Sequence, residues 1–337
     1  LPHVEACARL TQAATALGIA IAANEPLARH TTFRIGGPAD LYAIATTQQE
    51  LEQLAELGAE HDIETTILGG GSNVLVSDAG VRGLVIANQT RQFGFRISNF
   101  GLLFPELQSD IPQSAVRSPH LMADSGVALA GLARWAIKNG WSGLEWAVSV
   151  PGTVGGAVIG NAGAHGGDIA GNLAWALVAY PGRGRRVLTG KQMTFAYRSS
   201  ILKQQLAGNA EQAEGVRPVV LAAAFNLCPG DAAGMAATAA GFLARRRTSQ
   251  PVEPSAGSIF RNPPGDHAGR LIDAVGLKGQ RIGGAQISPR HANFIVNVGE
   301  ATATDVAALM SLMRRRVYEC TGIELIPEIL LLGDWSQ

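Results

Sequence analysis

Residues 68–76 read Leu68-Gly69-Gly70-Gly71-Ser72-Asn73-Val74-Leu75-Val76. A short apolar run enters three glycines, a serine and an asparagine follow, and a second apolar run leaves. Glycines let successive backbone N–H groups turn toward one point, and Ser72 and Asn73 add side-chain donors, which suits an anion such as a pyrophosphate. The same residues equally suit a tight turn between two strands. The segment is not a Walker loop, because no Gly-Lys-Ser/Thr follows. It is not the Rossmann fingerprint either, because a strand rather than a helix comes after the glycines. Its candidate ligand-binding residues are Gly69, Gly70, Gly71, Ser72, Asn73 and Val74.

Working outward, Leu41–Thr46 and Thr65–Leu68 read as strands. Between them Thr47 and Glu50 form a capping box, and Leu51, Leu54 and Leu57 follow at helical spacing, with Gly58 placed to end the helix. Asn73–Ser77 and Gly83–Ala87 read as further strands, and the Ala-rich residues 1–23 as a loose helix. Residues 89–120 carry no clear period and read as irregular. Helical pattern returns at Ala128–Lys138, closed by Asn139-Gly140. Strand-like runs cover 173–180 and 218–227, and 233–247 reads as a helix ending in Arg245-Arg246-Arg247. Pro251 and Pro254 mark a boundary. Beyond it, Val306, Leu309, Met313 and Val317 give the stripe of a helix over 303–320, started by Thr302 or Thr304 and stopped by Gly322. The class is α+β. The expected domains are residues 1–88, residues 89–249 and residues 250–326.

A second glycine-rich stretch runs from Ser149 through Pro151-Gly152-Thr153-Val154-Gly155-Gly156-Ala157 to Gly167. Small residues let a flat or extended ligand lie against the backbone. Val154, Val158 and Ile159 set the stretch apart from a flexible linker, though plain packing accounts for them too. Lys+Arg and Asp+Glu both number 27 in 337 residues, so no global charge draws the chain to nucleic acid or an anionic membrane. An anionic substrate therefore needs a local cation. Three cysteines without a CxxC read as reduced thiols, and the seven histidines show no metal-ligand spacing. No run reaches the length of a membrane helix, and the first residues lack a signal-peptide pattern, so the expected compartment is the cytoplasm.

The two glycine-rich segments, in this order and spacing, resemble the FAD-binding domain of the vanillyl-alcohol-oxidase-like (PCMH-type) flavoproteins. More narrowly, the chain resembles the UDP-N-acetylenolpyruvoylglucosamine reductases. The likeness is carried by Thr31-Thr32-Phe33-Arg34-Ile35-Gly36-Gly37-Pro38-Ala39, Gly71-Ser72-Asn73, Pro151–Gly167 and Tyr197-Arg198-Ser199-Ser200. It continues with Ala256-Gly257-Ser258-Ile259-Phe260-Arg261-Asn262-Pro263, Gly283-Gly284-Ala285 through Asn293, and Ile326-Pro327-Glu328.

The resemblance implies a two-part FAD-binding domain, with the tail 327–337 returning to its first part (residues 1–88), and a C-terminal α+β substrate domain. It implies noncovalent FAD, there being no histidine in the 69–73 loop, with NADPH as co-substrate. The implied flavin contacts are the 69–74 loop with Gly152, Thr153, Gly155, Gly156, Asn161 and Gly163. Ser258 falls on the proton-donor serine, and Arg198 and Glu328 on the arginine and glutamate of the same site. Tyr197, Asn262 and His291 fall on substrate contacts, His291 replacing a glutamine of some members, and Arg261 stands where a lysine is common. Ala123-Asp124-Ser125-Gly126 departs from the small-residue pattern of the family. The implied reaction reduces an enolpyruvyl group on a UDP-sugar in cell-wall precursor synthesis, by a monomer acting without nucleic acid or membrane. Two alternatives stay open: a flavin oxidase of the wider superfamily, and a flavin or nucleotide-sugar binder without catalysis.

Overall fold

The computed structural model describes residues 2–97, 119–208 and 216–335. The chain forms two compact units. The first comprises Leu1–Ile21, Ala43–Gly69 and Ile86–Leu243; the second comprises Ala22–Tyr42, Gly70–Val85 and Ala244–Gln337. Residues 89–243 thus lie in the first unit and 250–326 in the second, while 1–88 is shared between them.

The first unit is built on a five-stranded antiparallel sheet. Its order is Gly184–Thr189, Leu173–Tyr180, Val219–Phe225, Pro119–Asp124, Phe93–Ile97. Register is set by pairs such as Ala176 with Leu188 and Ala223, and Ala222 with Asp124. All seven residues of Val219–Phe225 are buried, so both faces of that central strand are covered. That is why the strand reads as an unbroken apolar run with no alternation. Helix Leu129–Lys138 lays Leu129, Leu132, Ala133, Ala136 and Ile137 into the core, where Val154, Val158 and Phe225 also sit. Helix Gln48–Glu60 starts at the predicted capping box: Glu50 N–H donates to Thr47 Oγ1 at 3.1 Å, and the Glu50 carboxylate accepts from Thr46 and Thr47 N–H. It does not end at Gly58. An added Cβ there would lie 2.0 Å from Thr65 Oγ1, so this glycine serves the close approach of helix to strand. Two further expectations are corrected. Residues 21–26 form a strand rather than the end of a helix, and Phe93–Ile97 is a strand paired with Pro119–Asp124. The rest of the stretch read as irregular, residues 98–118, lies outside the described residues.

The second unit packs helix Ala303–Thr321 on a small antiparallel sheet of Arg281–Ile282, Ala285–Ile287 and Ile295–Asn297. Val306, Leu309, Met310, Met313 and Val317 face a core that contains Phe33, Leu75, Ile259, Phe260 and Leu325. Thr302 caps the helix, with Asp305 completing the box, and Gly322 ends it at φ 70°. Asp78 adds a second cap, accepting from Ala303 N–H at 2.7 Å and Thr304 N–H at 2.9 Å. A carboxylate there also complements the positive end of the helix. Leu330–Leu332 of the tail pairs in parallel with Val74–Val76, directly after the Gly-Ser-Asn loop.

Candidate functional site

In the first unit the second glycine-rich stretch contains a short helix, Val154–Gly160. Its entry is fixed by three backbone bonds: Leu129 N–H to Gly152 O, Val154 N–H to Val127 O, and Gly155 N–H to Ser125 O at 2.8 Å. Close approach explains some of its glycines. A Cβ on Gly155 would lie 2.9 Å from Ser125 Cβ, and one on Gly69 would lie 2.4 Å from Thr153 Oγ1. Gly156 and Gly160 are different. They lie four apart, hence on one helix face. An added Cβ meets nothing nearer than 3.8 Å at Gly156 and nothing within 4 Å at Gly160, and neither has a positive φ. Among the described residues, packing demands neither glycine, and the open face they share would fit a flat group such as a flavin.

Residues 123–126, which depart from the family pattern, belong to the same framework. Asn88 Nδ2 donates to Ser125 Oγ at 2.7 Å, Gly126 N–H donates to Thr90 Oγ1 at 2.9 Å, and Gln48 Nε2 donates to Asp124 Oδ1 at 2.6 Å. Ser125 and Gly126 were not among the sequence candidates. The one available clue was that they replace small residues with small residues.

Asn161 ends the short helix in the left-handed region, φ 43°. Its carboxamide donates to Ala196 O at 3.0 Å and accepts from Ala170 N–H at 3.0 Å. It thereby holds the turn in which Ala196 and Ser199 bond each other's backbone, with Tyr197 and Arg198 at the tip. Arg198 has φ 53°, a conformation that costs a non-glycine residue about 1 kcal/mol or more. Ser200 Oγ, donating to Ile159 O at 2.6 Å, and Lys203 Nζ, donating to Arg198 O at 3.0 Å, hold it there. Arg198 is half-buried, with its guanidinium 5.7 Å from the centre of the exposed Tyr197 ring.

In the second unit the segment Ser258–Asn262 is clamped on two sides. Ser258 bridges Phe294 and Phe260 bridges Pro327. Asn293 locks one side, receiving Phe260 N–H at 3.0 Å and donating to Phe260 O at 2.8 Å. On the other side Glu328 N–H donates to Ile259 O at 2.8 Å, and Arg261 N–H to Ile326 O at 2.9 Å. Ser258 and Glu328, 70 positions apart in the chain, are therefore on paired segments, both half-buried. The glycine loop joins them: Asn73 Nδ2 donates to Glu328 O at 3.3 Å, and Leu330 N–H donates to Asn73 O at 2.9 Å. Thr32 ties the loop to the serine segment, its N–H donating to Gly71 O at 3.0 Å and its hydroxyl to Ser255 O at 2.7 Å. Gly71 is required, with φ 59° and a Cβ site 2.2 Å from His30 O.

Of the predicted substrate contacts here, Asn262 accepts from Ala268 N–H at 3.1 Å and so also starts helix Ala268–Ala274. His291 Nδ1 accepts from Asn293 N–H at 3.2 Å, which leaves the proton of the neutral ring on Nε2. Burial, helped by the Lys278 charge, pushes the His291 pKa below the ordinary histidine value. The structure thus links the segments of Ser258, Glu328, Asn73 and Gly71 in one unit, and Asn161 to the turn of Tyr197 and Arg198 in the other. Among the described residues no cluster of three potential metal ligands occurs.

Residues 117–181 match the model of an FAD binding domain, and residues 250–332 match that of the UDP-N-acetylenolpyruvoylglucosamine reductase C-terminal domain. The UDP-N-acetylenolpyruvoylglucosamine reductase 2 of Symbiobacterium thermophilum is 42% identical over 92% of this chain and 91% of the relative. The chain belongs to the UDP-N-acetylenolpyruvoylglucosamine reductase family. The reductase of Heliobacterium modesticaldum is 43% identical over 92% of the chain and 90% of its own length. The crystal structure of the reductase (MurB) from Thermus caldophilus superposes with a TM-score of 0.70 at 31% identity, covering 94% of this chain and 99% of that one. The first matched region contains the glycine-rich helix, and the second contains both Ser258 and Glu328. The reductase fold accounts for the α+β class and for the FAD-binding part expected from sequence. Among the described residues no helix is long and apolar enough to cross a membrane.

Proposed function

We propose that this chain reduces the enolpyruvyl double bond of UDP-N-acetylglucosamine enolpyruvate to UDP-N-acetylmuramate, a step of peptidoglycan precursor synthesis. The observation that carries the reading is the pairing of the Ser258 and Glu328 segments, bonded through Ile259 and Asn73, in a chain of the reductase family. Gly69 to Val74, Gly152, Thr153, Gly155, Gly156, Asn161 and Gly163 would hold FAD noncovalently. When bound, FAD supplies the hydride that NADPH has given up.

The chain's own residues do the rest. Hydride arriving at the β carbon leaves negative charge on the α carbon and its carboxylate. The Arg198 guanidinium binds that carboxylate in a bidentate manner and lowers the barrier electrostatically. The bonds from Ser200 and Lys203 hold the backbone from which the Arg198 side chain extends. Ser258 donates its hydroxyl proton to the α carbon, a step open to so weak an acid because the carbanion is strongly basic. Glu328 orients the water through which the serine recovers its proton. Tyr197, Asn262 and His291 contact the UDP-sugar. Residues 1–88 with 327–337 and residues 89–249 make the two parts of the flavin domain, and 250–326 the substrate domain. The protein works as a monomer in the cytoplasm, without nucleic acid or membrane.

The test is anaerobic and visible. The purified protein is yellow, bleaches with NADPH, and recovers its colour on addition of the enolpyruvyl nucleotide. A reduced protein that ignores that nucleotide and reoxidises only with O₂ is an oxidase, and the reading is then wrong.

A further inference from the structure

A polar network in the second unit has no part in the reaction described above. Ile21–Pro26 and Pro38–Ala45 are neighbouring strands, and the link between them opens with a single 3₁₀ turn, Leu27–His30. His30 ends that turn. Its Nε2–H donates to Glu25 Oε1 at 2.8 Å, since a carboxylate only accepts. In the neutral ring Nδ1 is then the acceptor, and the Tyr42 hydroxyl donates to it at 3.1 Å. The Tyr42 ring also stacks on the imidazole, with centres 4.5 Å apart and planes at 28°. Glu25 belongs to the first strand and Tyr42 to the second, so the imidazole is tied to both. Tyr42 is buried, and burial, with the Glu25 charge second, holds its pKa above the ordinary phenol value. Its hydroxyl therefore keeps the proton it donates.

The network holds a piece of backbone that the glycine loop rests on. His30 O lies 2.2 Å from the point where a Cβ on Gly71 would stand, and Thr31 Cα lies 2.8 Å from it. Thr32 N–H donates to Gly71 O at 3.0 Å, and the Thr32 hydroxyl lies 3.3 Å from the same oxygen and 2.7 Å from Ser255 O. Backbone meets backbone here, with no side chain between to absorb a shift, so a displacement of residues 30–32 passes straight to Gly71. Past the loop the same link is held separately, Gly37 N–H donating to Ser77 O at 2.9 Å. Apolar side chains fill a volume as well as polar ones do. Hydrogen bonds add direction, which a backbone held to a fraction of an ångström requires. Resting on the function proposed above, in which residues 69–74 hold FAD, we propose that His30 is a positioning residue for the glycine loop. Tied to Glu25 and Tyr42, it fixes residues 30–32, and these fix Gly71. A loop set in place beforehand loses less freedom when the cofactor binds, so His30 acts on FAD affinity through the loop.

The test separates positioning from folding. The double variant His30→Phe/Tyr42→Phe keeps two rings able to stack and removes both hydrogen bonds together with the buried hydroxyl. Removing both partners of a buried bond is nearly neutral for folding, so its apo-protein should melt within about 3 °C of wild type. Its FAD affinity, read by fluorescence titration, should fall ~5- to 30-fold. Tyr42→Phe alone breaks one bond and should lie between the double variant and wild type, and it decides the matter if the double variant does not fold. Glu25→Gln, whose amide oxygen still accepts from His30, should bind FAD within about twofold of wild type. At saturating FAD, flavin reduction by NADPH should stay within about twofold in every variant, because the loss is in binding and not in rate. FAD affinity within twofold of wild type in Tyr42→Phe and the double variant overturns the assignment, whatever their melting points. So does a reduction rate that falls as far as the affinity. A wild type that binds no FAD refutes the proposed function itself, whereas a wild type that binds FAD beside indifferent variants refutes this inference alone.

Discussion

Replacing Gly156 by alanine should make the protein more stable and a worse flavoprotein. In the Val154–Gly160 helix an alanine is favoured over glycine by about 0.5–1 kcal/mol. The new Cβ has room in the chain, its nearest neighbour being Thr153 Oγ1 at 3.8 Å. Apo-protein should therefore melt about 1–3 °C higher, taking the temperature sensitivity of a domain of this size. The same methyl group projects from the face assigned to the flavin. Overpacking of a close contact costs ~1–3 kcal/mol, so FAD should bind roughly 5- to 150-fold more weakly. The assays are thermal unfolding of apo-protein and fluorescence titration of FAD. Gly155→Ala is the control: its Cβ would meet Ser125 Cβ at 2.9 Å and Ser125 O at 3.2 Å, so it should lose stability by ~1–3 kcal/mol. A Gly156→Ala protein with unchanged FAD affinity refutes the assignment of that helix face, whatever its melting point.

Thr47→Ala should cost about 1 kcal/mol in urea unfolding, because it removes the capping acceptor of Glu50 N–H. The bonds from Thr46 and Thr47 hold the Glu50 pKa below its ordinary value. Their stabilisation is present above the normal carboxylate range and is lost as pH falls through the depressed native value, so Glu50→Gln should flatten part of the acid limb. The native pKa of His291 lies below 6.5, chiefly through burial, so the unfolded chain takes up the proton more readily and stability declines as pH drops below about 6.5. His291→Gln should remove that portion of the decline, as read from urea midpoints between pH 7 and pH 5. Arg198→Met should slow reoxidation of the reduced enzyme by the enolpyruvyl nucleotide by ~10²- to 10³-fold in stopped flow, while leaving reduction by NADPH within about twofold.

Much of this was legible in the sequence where local chemistry and tertiary role agree. Leu173–Tyr180 and Thr65–Leu68 are strands with the predicted ends, Thr47 with Glu50 starts its helix as read, and of the two threonines offered for the last helix Thr302 is the cap, with Gly322 at its end. The misses have physical causes. Ile21–Pro26 is mostly exposed, with no alternation of buried and exposed positions to betray it. Val154–Gly160 is a helix with three glycines of seven residues, stabilised by burial of Val154, Ala157 and Val158 rather than by propensity. Gly58 looked like a helix stop but answers to Thr65, a contact that local sequence does not show. At the site, the glycine loop stood out by its own residues, and Ser258 only through the resemblance of its segment to the reductase family. That Asn73 bonds Glu328 and Thr32 bonds Ser255 depends on long-range pairing across 255 and 223 positions, which no local pattern encodes.

The account rests on Ser258 giving its proton to the substrate, and rapid kinetics on Ser258→Ala test that most directly. The two half-reactions are measured separately under anaerobic conditions. Reduction of the flavin by NADPH should remain within about twofold of wild type, while reoxidation by the enolpyruvyl nucleotide should fall by ~10²- to 10⁴-fold. Equal loss in both half-reactions, or no loss in the second, would contradict the role given to Ser258.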